Sequence, residues 1–249
     1  VVCSLGRKNR PLRRFFHFWP KDGALKSIIY VDGYNLFYGS LKYSQDKWLD
    51  LKALFFDRVL YIQNPASELV AIKFFTADIK AKIASNGTAA QMAQQTYHRA
   101  LLQLYPEHIQ IIKGYYSLEK ARLPCYQQPP DKTQLVDVWK LEEKQTDVNM
   151  ALEAYRDAVK ERADQIVIVS NDTDLAPALA ALREDFGMRL QIGVVIPIRA
   201  SRNHRPGNEQ LSKFADWTRR HLTDIELAES QLPQTIPTRK KPIVKPRYW

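Results

Sequence analysis

The sequence predicts an α/β fold with a mostly parallel central sheet, because short apolar runs alternate with segments of helical period. The run Ile166–Val169 is continuous and β-branched, which is typical of a strand buried on both faces. In the helix that begins at Asp147, the apolar residues Val148, Leu152 and Tyr155 recur at helical spacing. We expect that stripe to pack against the core.

The first half of the chain predicts three strands and an edge strand separated by helices. Gly33 eases the turn out of the first strand. Pro124, Pro129 and Pro130 predict a loop over residues 121–133. In chain order the elements are strand Ser27–Val31, helix Asn35–Tyr43, helix Leu49–Tyr61, strand Leu69–Thr76, helix Gly87–Leu104, strand Ile109–Tyr116 and edge strand Gln134–Leu141.

The second half has the more regular pattern, and the residues that end its helices and strands are clear. Gly187 is placed to close a helix, and Pro197 ends the last apolar run. The predicted elements are helix Asp147–Arg162, strand Gln165–Ser170, helix Leu175–Phe186, strand Leu190–Ile196, a basic loop Arg199–Gly207 and a partly helical segment Glu209–Ala228.

The net charge of +10 lies at the two ends of the chain. Residues 1–26 carry seven Lys and Arg against one Asp, and residues 231–249 carry five against none, which leaves residues 27–230 close to neutral. We expect residues 27–230 to form one folded domain, residues 1–26 a poorly ordered basic arm, and residues 231–249, rich in Pro, Lys and Arg, a disordered tail. Basic tails hold a nucleic-acid backbone without sequence preference; the alternative is that they are solubilising.

Composition excludes several classes of protein. A hydrophobic content of 45% and a charged content of 26% are ordinary for a globular domain, and no run approaches a membrane span. Cys3 and Cys125 are far apart and belong to no CxxC pair, which argues against a zinc ribbon and against a disulfide framework. Such cysteine usage fits a reducing compartment. With no readable signal peptide, we expect a cytoplasmic protein. No GxGxxG, Walker A or GxSxG motif is present.

Acidic residues at three separate places in the chain follow strands or open helices. Asp32 ends the first strand, Asp172 and Asp174 follow the buried strand, and Asp147 opens a helix. In a parallel sheet, ligands bind outside the carboxyl ends of the strands, so these acids meet if their strands are neighbours. Helix capping explains one such Asp well and several less well. Carboxylates are ligands for Mg²⁺ or Mn²⁺, so a shared metal pocket is predicted.

The motifs YVDGYNLFYG, KQTDVNMAL and IVIVSNDTDLAPAL, in that order, resemble the NYN domain family, in its LabA-like and YacP-like branch of the PIN-like nucleases. The resemblance implies a PIN-like three-layer α/β/α sandwich and a ribonuclease that depends on Mg²⁺ or Mn²⁺. Asn171 stands where the family often has Gly. The family pattern implies as catalytic residues Asp32, Asn35, Asp147, Asp172 and Asp174, and as metal ligands the four aspartates among them.

Other side chains are candidates to support the pocket or to contact substrate. Ser170, Asn171 and Thr173 are placed to hydrogen-bond the ligating carboxylates. Tyr34 is the best candidate to stack on an unpaired base. Loop cations after the second and last strands are predicted phosphate contacts, with solvated loop charges as the alternative; they are Lys80, Arg199 and Arg202.

The leading hypothesis is a metal-dependent ribonuclease that hydrolyses RNA phosphodiester bonds at the Asp-lined pocket. Its expected partner is single-stranded or structured RNA; no membrane partner is expected, and a homodimer is allowed. The alternative is a non-catalytic PIN-like module that binds RNA or protein. A haloacid-dehalogenase-type phosphohydrolase is disfavoured, because that chemistry needs a second acid two residues after the nucleophile and Tyr34 stands there.

Overall fold

A seven-stranded sheet forms the centre of the molecule, in the order β4-β3-β2-β1-β5-β6-β7. The computed structural model describes residues 23–129, 131–201, 209–247 and 249. All neighbouring strands of this sheet run parallel except β3 and β4, which are antiparallel. The predicted α/β class and the mostly parallel sheet are therefore confirmed. The predicted basic arm, residues 1–26, lies almost wholly outside the described residues.

The strands are β1 Leu25–Asp32, β2 Ser67–Ala77, β3 Ile109–Pro124, β4 Leu135–Lys144, β5 Gln165–Val169, β6 Gln191–Val195, β7 Trp217–Arg219, β8 Thr235–Ile236 and β9 Ile243–Val244. The helices are α1 Gly33–Leu36, α2 Tyr61–Gln63, α3 Gly87–Leu104, α4 Thr146–Val159, α5 Ala176–Phe186, α6 Glu209–Ser212 and α7 Asp224–Glu229. Two π-helical segments, Phe37–Leu41 and Lys52–Leu60, continue α1 and precede α2. No helix among the described residues is long and apolar enough to cross a membrane.

The central strands send alternate side chains into two separate hydrophobic clusters. On β1, Ile29 and Val31 enter one cluster, with α3 and the π-helical segment Lys52–Leu60. Ile28 and Tyr30 enter the other, with α4 and α5. Strands covered on both faces read as continuous apolar runs, which is why the sequence located them.

Helix α4 turns a different face to the core from the one its sequence predicts. Met150 and Ala154 are fully buried, whereas Val148 and Leu152 are 62% and 55% exposed. The expectation that the stripe from Val148 to Tyr155 packs inward is therefore wrong. The buried face is made of small and polar residues as well as Met150, and it includes a fully buried Asp157. A count of apolar residues misses such a face.

Strands β3 and β4 form a long hairpin where a loop was predicted. Their pairing runs from Tyr115 opposite Lys144 to Pro124 opposite Leu135, so the predicted loop over residues 121–133 begins too early. A proline at the end of a strand removes no hydrogen bond from the middle of a ladder. The prolines therefore mark the tip of the hairpin and not its stem.

The C-terminal segment folds onto the domain, and the prediction of a disordered tail over residues 231–249 is wrong. Strands β8 and β9 pair, and Leu232, Ile236 and Ile243 are buried in the cluster that contains α3. The indole Nε1 of Trp48 donates a hydrogen bond to the carbonyl of Pro233, at 2.9 Å. A few apolar residues that reach the core therefore hold this segment on the domain, although its overall composition is typical of a disordered tail.

We expect the Ile236→Ala variant to unfold with a free energy lower by about 2–4 kcal/mol, because Ile236 is only 1% exposed and its removal leaves a cavity. Chemical denaturation monitored by circular dichroism measures this change. Val244→Ala, in the same hairpin but 55% exposed, is the matched control and should change the free energy by less than about 0.5 kcal/mol. Equal and negligible effects of both variants would contradict the packing of this segment.

Candidate functional site

Three of the predicted aspartates line one crevice at the carboxyl edge of the sheet. Strands β1 and β5 are parallel neighbours, so Asp32 and the residues after Val169 emerge side by side. Helix α4 begins at the same edge and adds Asp147. The crevice has a volume of about 180 Å³, and its lining residues are Asp32, Tyr34, Asn35, Tyr38, Tyr116, Leu141, Glu143, Asp147 and Asp172.

Asp32 is held rigidly at the base of this crevice. It is 1% exposed and caps α1, because its Oδ1 accepts a hydrogen bond from the backbone N–H of Asn35 at 2.9 Å. The Asn35 amide Nδ2 donates to Asp32 Oδ2 at 2.6 Å, and the hydroxyl of Ser170 donates to the same oxygen at 2.8 Å. A side chain at Gly33 would place its Cβ 2.7 Å from the carbonyl oxygen of Phe75, so the turn after Asp32 requires glycine.

A chain of hydrogen bonds links Asp32 to the turn after β5. The hydroxyl of Ser170 donates to Asp32 and accepts from the backbone N–H of Asp172 at 3.0 Å. Asp172 Oδ1 in turn accepts from the backbone N–H of Asp174 at 3.0 Å. Ser170 is fully buried, whereas Asn171 and Thr173 are half-buried. Ser170 therefore connects the two strand ends.

Burial and neighbouring charges raise the pKa of Asp147 and Asp32 in the crevice. Burial first, and then the charges of Asp32 and Asp172, raise the pKa of Asp147 from its ordinary value of 3.8 to about 6. Burial also raises the pKa of Asp32, against the hydrogen bonds from Asn35 and Ser170 that lower it. Asp174 is exposed and is not among the lining residues, but its charge still acts on Asp147. Negative charge therefore accumulates around Asp147.

The raised pKa of Asp147 makes stability depend on pH. Between pH 3.8 and about 6 the folded chain binds more protons at Asp147 than the unfolded chain, so this group's contribution to stability is present below pH 3.8 and is lost by about pH 6. We expect Asp147→Asn to raise the free energy of unfolding at pH 7.5 by about 1–2 kcal/mol, reduced for solvent screening, and to have little effect at pH 4. Denaturant titrations of both proteins at the two pH values measure this. An Asn variant less stable than the parent at pH 7.5 would contradict the charge accumulation.

The sequence did not single out two residues that shape the crevice, Glu143 and Tyr116. They lie opposite one another on β4 and β3, and Glu143 Oε1 accepts a hydrogen bond from the Thr146 hydroxyl at 2.6 Å. Burial and the charge of Asp32 raise the pKa of Glu143. Burial and the charge of Glu143 raise the pKa of Tyr116. Their position depends on the register of the β3–β4 hairpin, and the predicted edge strand ended at Leu141.

The residues predicted to contact substrate lie in different places in the structure. Tyr34 lines the crevice, is 44% exposed and packs against Tyr38 with ring centroids 4.4 Å apart. Lys80 is exposed in the turn after β2. Arg202 lies outside the described residues.

Arg199 contributes to the structure and not to the crevice lining. Its guanidinium donates to Asp224 at 2.7 Å, to Asp46, and to the Ser40 carbonyl at 3.1 Å. It is not among the residues that line the crevice. These contacts tie three segments together, so a phosphate contact by Arg199 would require its ion pairs to open.

The donor set suits a hard divalent cation, but it is not a closed cage. Among the described residues no group of three or more His, Cys, Asp or Glu side chains is close enough to enclose a metal ion. Carboxylate oxygens remain the ligands that Mg²⁺ prefers, and Mg²⁺ keeps several waters while it contacts one or two carboxylates directly. Asp147 and Asp172 face the crevice beside Asp32, which fits that mode of binding.

Comparison with protein families assigns the chain. The model of the NYN domain matches residues 26–216, which is most of the chain and contains every residue of the crevice. The protein belongs to the NYN domain family. The resemblance read from the three motifs is thereby confirmed.

Two further proteins are similar to this NYN domain protein. The 6-hydroxy-3-succinoylpyridine 3-monooxygenase HspA of Pseudomonas putida (strain DSM 28022 / S16) is 42% identical over 241 residues, which cover 90% of this chain and 75% of HspA. The crystal structure of VPA0982, a protein of unknown function from Vibrio parahaemolyticus RIMD 2210633, superposes with a TM-score of 0.48 and 17% identity, and the match covers 83% of this chain and 98% of that one.

Proposed function

We propose that this NYN domain protein is a divalent-metal-dependent ribonuclease with a PIN-like three-layer α/β/α architecture, working in the cytoplasm. The observation that carries the proposal is that Asp32, Asp147 and Asp172 share one crevice, in which burial and then the neighbouring carboxylates raise the pKa of Asp147 to about 6. Such a concentration of negative charge is relieved by a cation. Family membership supports a nuclease-like fold.

The acidic residues of the crevice and the side chains beside them have distinct roles in this proposal. One or two of the crevice carboxylates Asp32, Asp147 and Asp172 would contact Mg²⁺ or Mn²⁺ directly and the others through water, with Asp174 close enough to add its charge. When bound, the ion would acidify a water molecule and offset the charge that develops on the phosphate. Asn35 and Ser170 keep the Asp32 carboxylate in one orientation, since both donate to it. Tyr34 offers an exposed ring at the rim for a base.

Incubation of the purified protein with a mixed set of single-stranded and hairpin RNAs tests the activity. Cleavage is expected with Mn²⁺ or Mg²⁺ and should stop on addition of EDTA. Intact RNAs throughout, with the protein folded and the metal in excess, would overturn the ribonuclease. If the RNAs were nevertheless bound, the non-catalytic RNA-binding module would take its place.

A second candidate is hydroxylation of a pyridine ring, favoured by the 42% identity to HspA. Monooxygenation inserts one atom of O₂ into the substrate and releases the other as water, with two electrons from a reductant such as reduced nicotinamide. The chain has no GxGxxG dinucleotide motif, and its crevice is lined by carboxylates. The geometry therefore favours the ribonuclease.

Oxygen consumption with 6-hydroxy-3-succinoylpyridine and a reduced nicotinamide nucleotide separates the two candidates. Substrate-dependent uptake of O₂ matched by hydroxylated product would establish the second candidate. Uptake equal to that without the pyridine, alongside metal-dependent RNA cleavage, would establish the first.

A further inference from the structure

The β3–β4 hairpin extends from the edge of the sheet beside the crevice. We call its paired stem, Tyr115–Pro124 with Leu135–Lys144, the hairpin arm. Strand β4 is the outermost strand, and β3 joins the parallel sheet only through residues 109–114. Among the described residues, no further strand pairs with the outer part of the arm.

One side of the arm is continuous with the crevice. Tyr116 and Glu143 lie opposite each other and both line it, as does Leu141, two residues further along β4. Side chains in a strand alternate between faces, so Trp139 lies on the same face as Leu141 and Glu143. On β3 the same rule adds Lys120, which is directly opposite Trp139.

The crevice side of the arm combines an aromatic ring with cations. Trp139 is 72% exposed, and the side chains of Lys120 and Arg122 are 68% and 69% exposed. Both cations pair with Asp137, at 2.9 and 3.5 Å. Ion pairs this exposed contribute little, so a phosphate can replace Asp137 as a partner at small cost.

Rings and cations at neighbouring positions are the chemistry that binds an unpaired nucleic-acid strand. Bases stack on aromatic side chains, while Lys and Arg contact the phosphates between them. The rim of the crevice offers two more exposed rings, Tyr34 and Tyr38, at 44% and 40%. Aromatic surface therefore occurs both at the crevice and further out along the arm.

We propose that the crevice side of the hairpin arm binds the single-stranded RNA that flanks the bond to be cut, with a base stacked on Trp139 and phosphates on Lys120 and Arg122. This contact builds on the ribonuclease function proposed above. Trp139 is four residues from Glu143, which is about 13 Å along a strand. A stacked single strand covers that distance in about four nucleotides, at roughly 3.4 Å per nucleotide.

The test compares two lengths of RNA. In an Asp172→Asn background, fluorescence anisotropy measures binding of single-stranded oligonucleotides of about three and about twelve nucleotides. Trp139→Ala should weaken binding of the longer RNA roughly tenfold and leave the shorter one unchanged. Trp139→Phe, which keeps a ring, should restore most of the loss. Lys120→Ala should weaken binding of the longer RNA and flatten its salt dependence.

Lys140→Ala is the matched control, because Lys140 lies on the same strand as Trp139 but on the opposite face, directly across the hairpin from Glu119 and in an ion pair with Glu142. Its binding of both RNAs should equal that of the parent. Equal affinity of Trp139→Ala and the parent for the longer RNA would overturn the proposal. So would a change in oligomeric state of Trp139→Ala with RNA affinity unchanged, since the arm would then contact protein.

Failure of the ribonuclease and failure of the arm give different results. If wild-type protein binds the longer RNA through Trp139 but cuts no RNA with Mn²⁺, the ribonuclease fails and the arm contact holds. If wild-type and Trp139→Ala proteins cut long and short RNAs with the same KM, the ribonuclease holds and the arm contact fails.

Discussion

Replacement of Asp172 by Asn is expected to lower metal-dependent RNA cleavage by roughly a hundredfold or more, with the fold unchanged. In the proposed mechanism this carboxylate would supply charge for the cation, which would itself be worth several kcal/mol to the transition state. Asp172 is the best position for this test because it is half-buried and, within the described part of the chain, its side chain accepts a hydrogen bond from the local N–H of Asp174 and not from another element. Asp32 also caps α1 and accepts from Ser170, so its loss would disturb structure as well as charge.

The matched control for this variant is Asp185→Asn. Asp185 is exposed near the C-terminal end of α5, where it accepts a hydrogen bond from the Tyr155 hydroxyl, and it does not line the crevice. Initial cleavage rates over a range of Mn²⁺ concentrations compare the two variants with the parent. Asp172→Asn at the parental rate would contradict the assignment of this carboxylate to the metal site.

Replacement of Asp157 by Leu is expected to lower the free energy of unfolding by about 3–5 kcal/mol, because it removes the nearest carboxylate partner of the buried Lys73 ammonium and the acceptor of the Tyr30 hydroxyl. Lys73 is 4% exposed and its ammonium lies 2.5 Å from Asp157 Oδ2 and 2.6 Å from Glu153 Oε2. The Tyr30 hydroxyl also donates to Asp157, at 2.8 Å. For a chain of this size the loss corresponds to a fall in Tm of roughly 6–20 °C.

A second variant separates the effect of losing the Lys73–Asp157 ion pair from the effect of the changed side-chain shape. The double variant Lys73→Met/Asp157→Leu removes both charges and should recover most of the lost stability. Asp57→Ala breaks the exposed pair with Lys52 and should cost less than about 1 kcal/mol. Thermal unfolding followed by circular dichroism measures all three. A double variant less stable than Asp157→Leu alone would show that the charge pair is not what holds α4 to β2.

The sequence located the central elements well, because one physical signal dominates there. Strands β1, β2, β5 and β6 are buried on both faces and read as apolar runs, and α3 has the predicted bounds Gly87–Leu104. The signal fails where burial depends on tertiary contacts. The core face of α4 contains the paired Asp157, and the C-terminal segment is fixed by a few residues such as Ile236.

The sequence predicted the part of the candidate site that depends on which strands are neighbours in the sheet. Asp32 and Asp172 meet because β1 and β5 are neighbours, and the motifs identified both. Glu143 was missed because its place depends on the hairpin register, which a run of prolines concealed. Arg199 was predicted to contact a phosphate of the substrate because it lies in a loop after the last predicted strand. The sequence does not reveal that its guanidinium forms ion pairs with Asp46 and Asp224.

Asp32 ends β1 and Asp172 follows β5, so both acids belong to the centre of the sheet, whereas the β3–β4 hairpin lies at its edge. Strands β1 and β5 pair on both sides, so their hydrogen bonds break only when the whole domain opens. Among the described residues, the outer stem of the β3–β4 hairpin pairs with no further strand, so its side chains can change without disturbing the ladder between β1 and β5. Substitutions on the outer stem can therefore change its binding surface while Asp32 and Asp172, at the ends of β1 and β5, keep their positions.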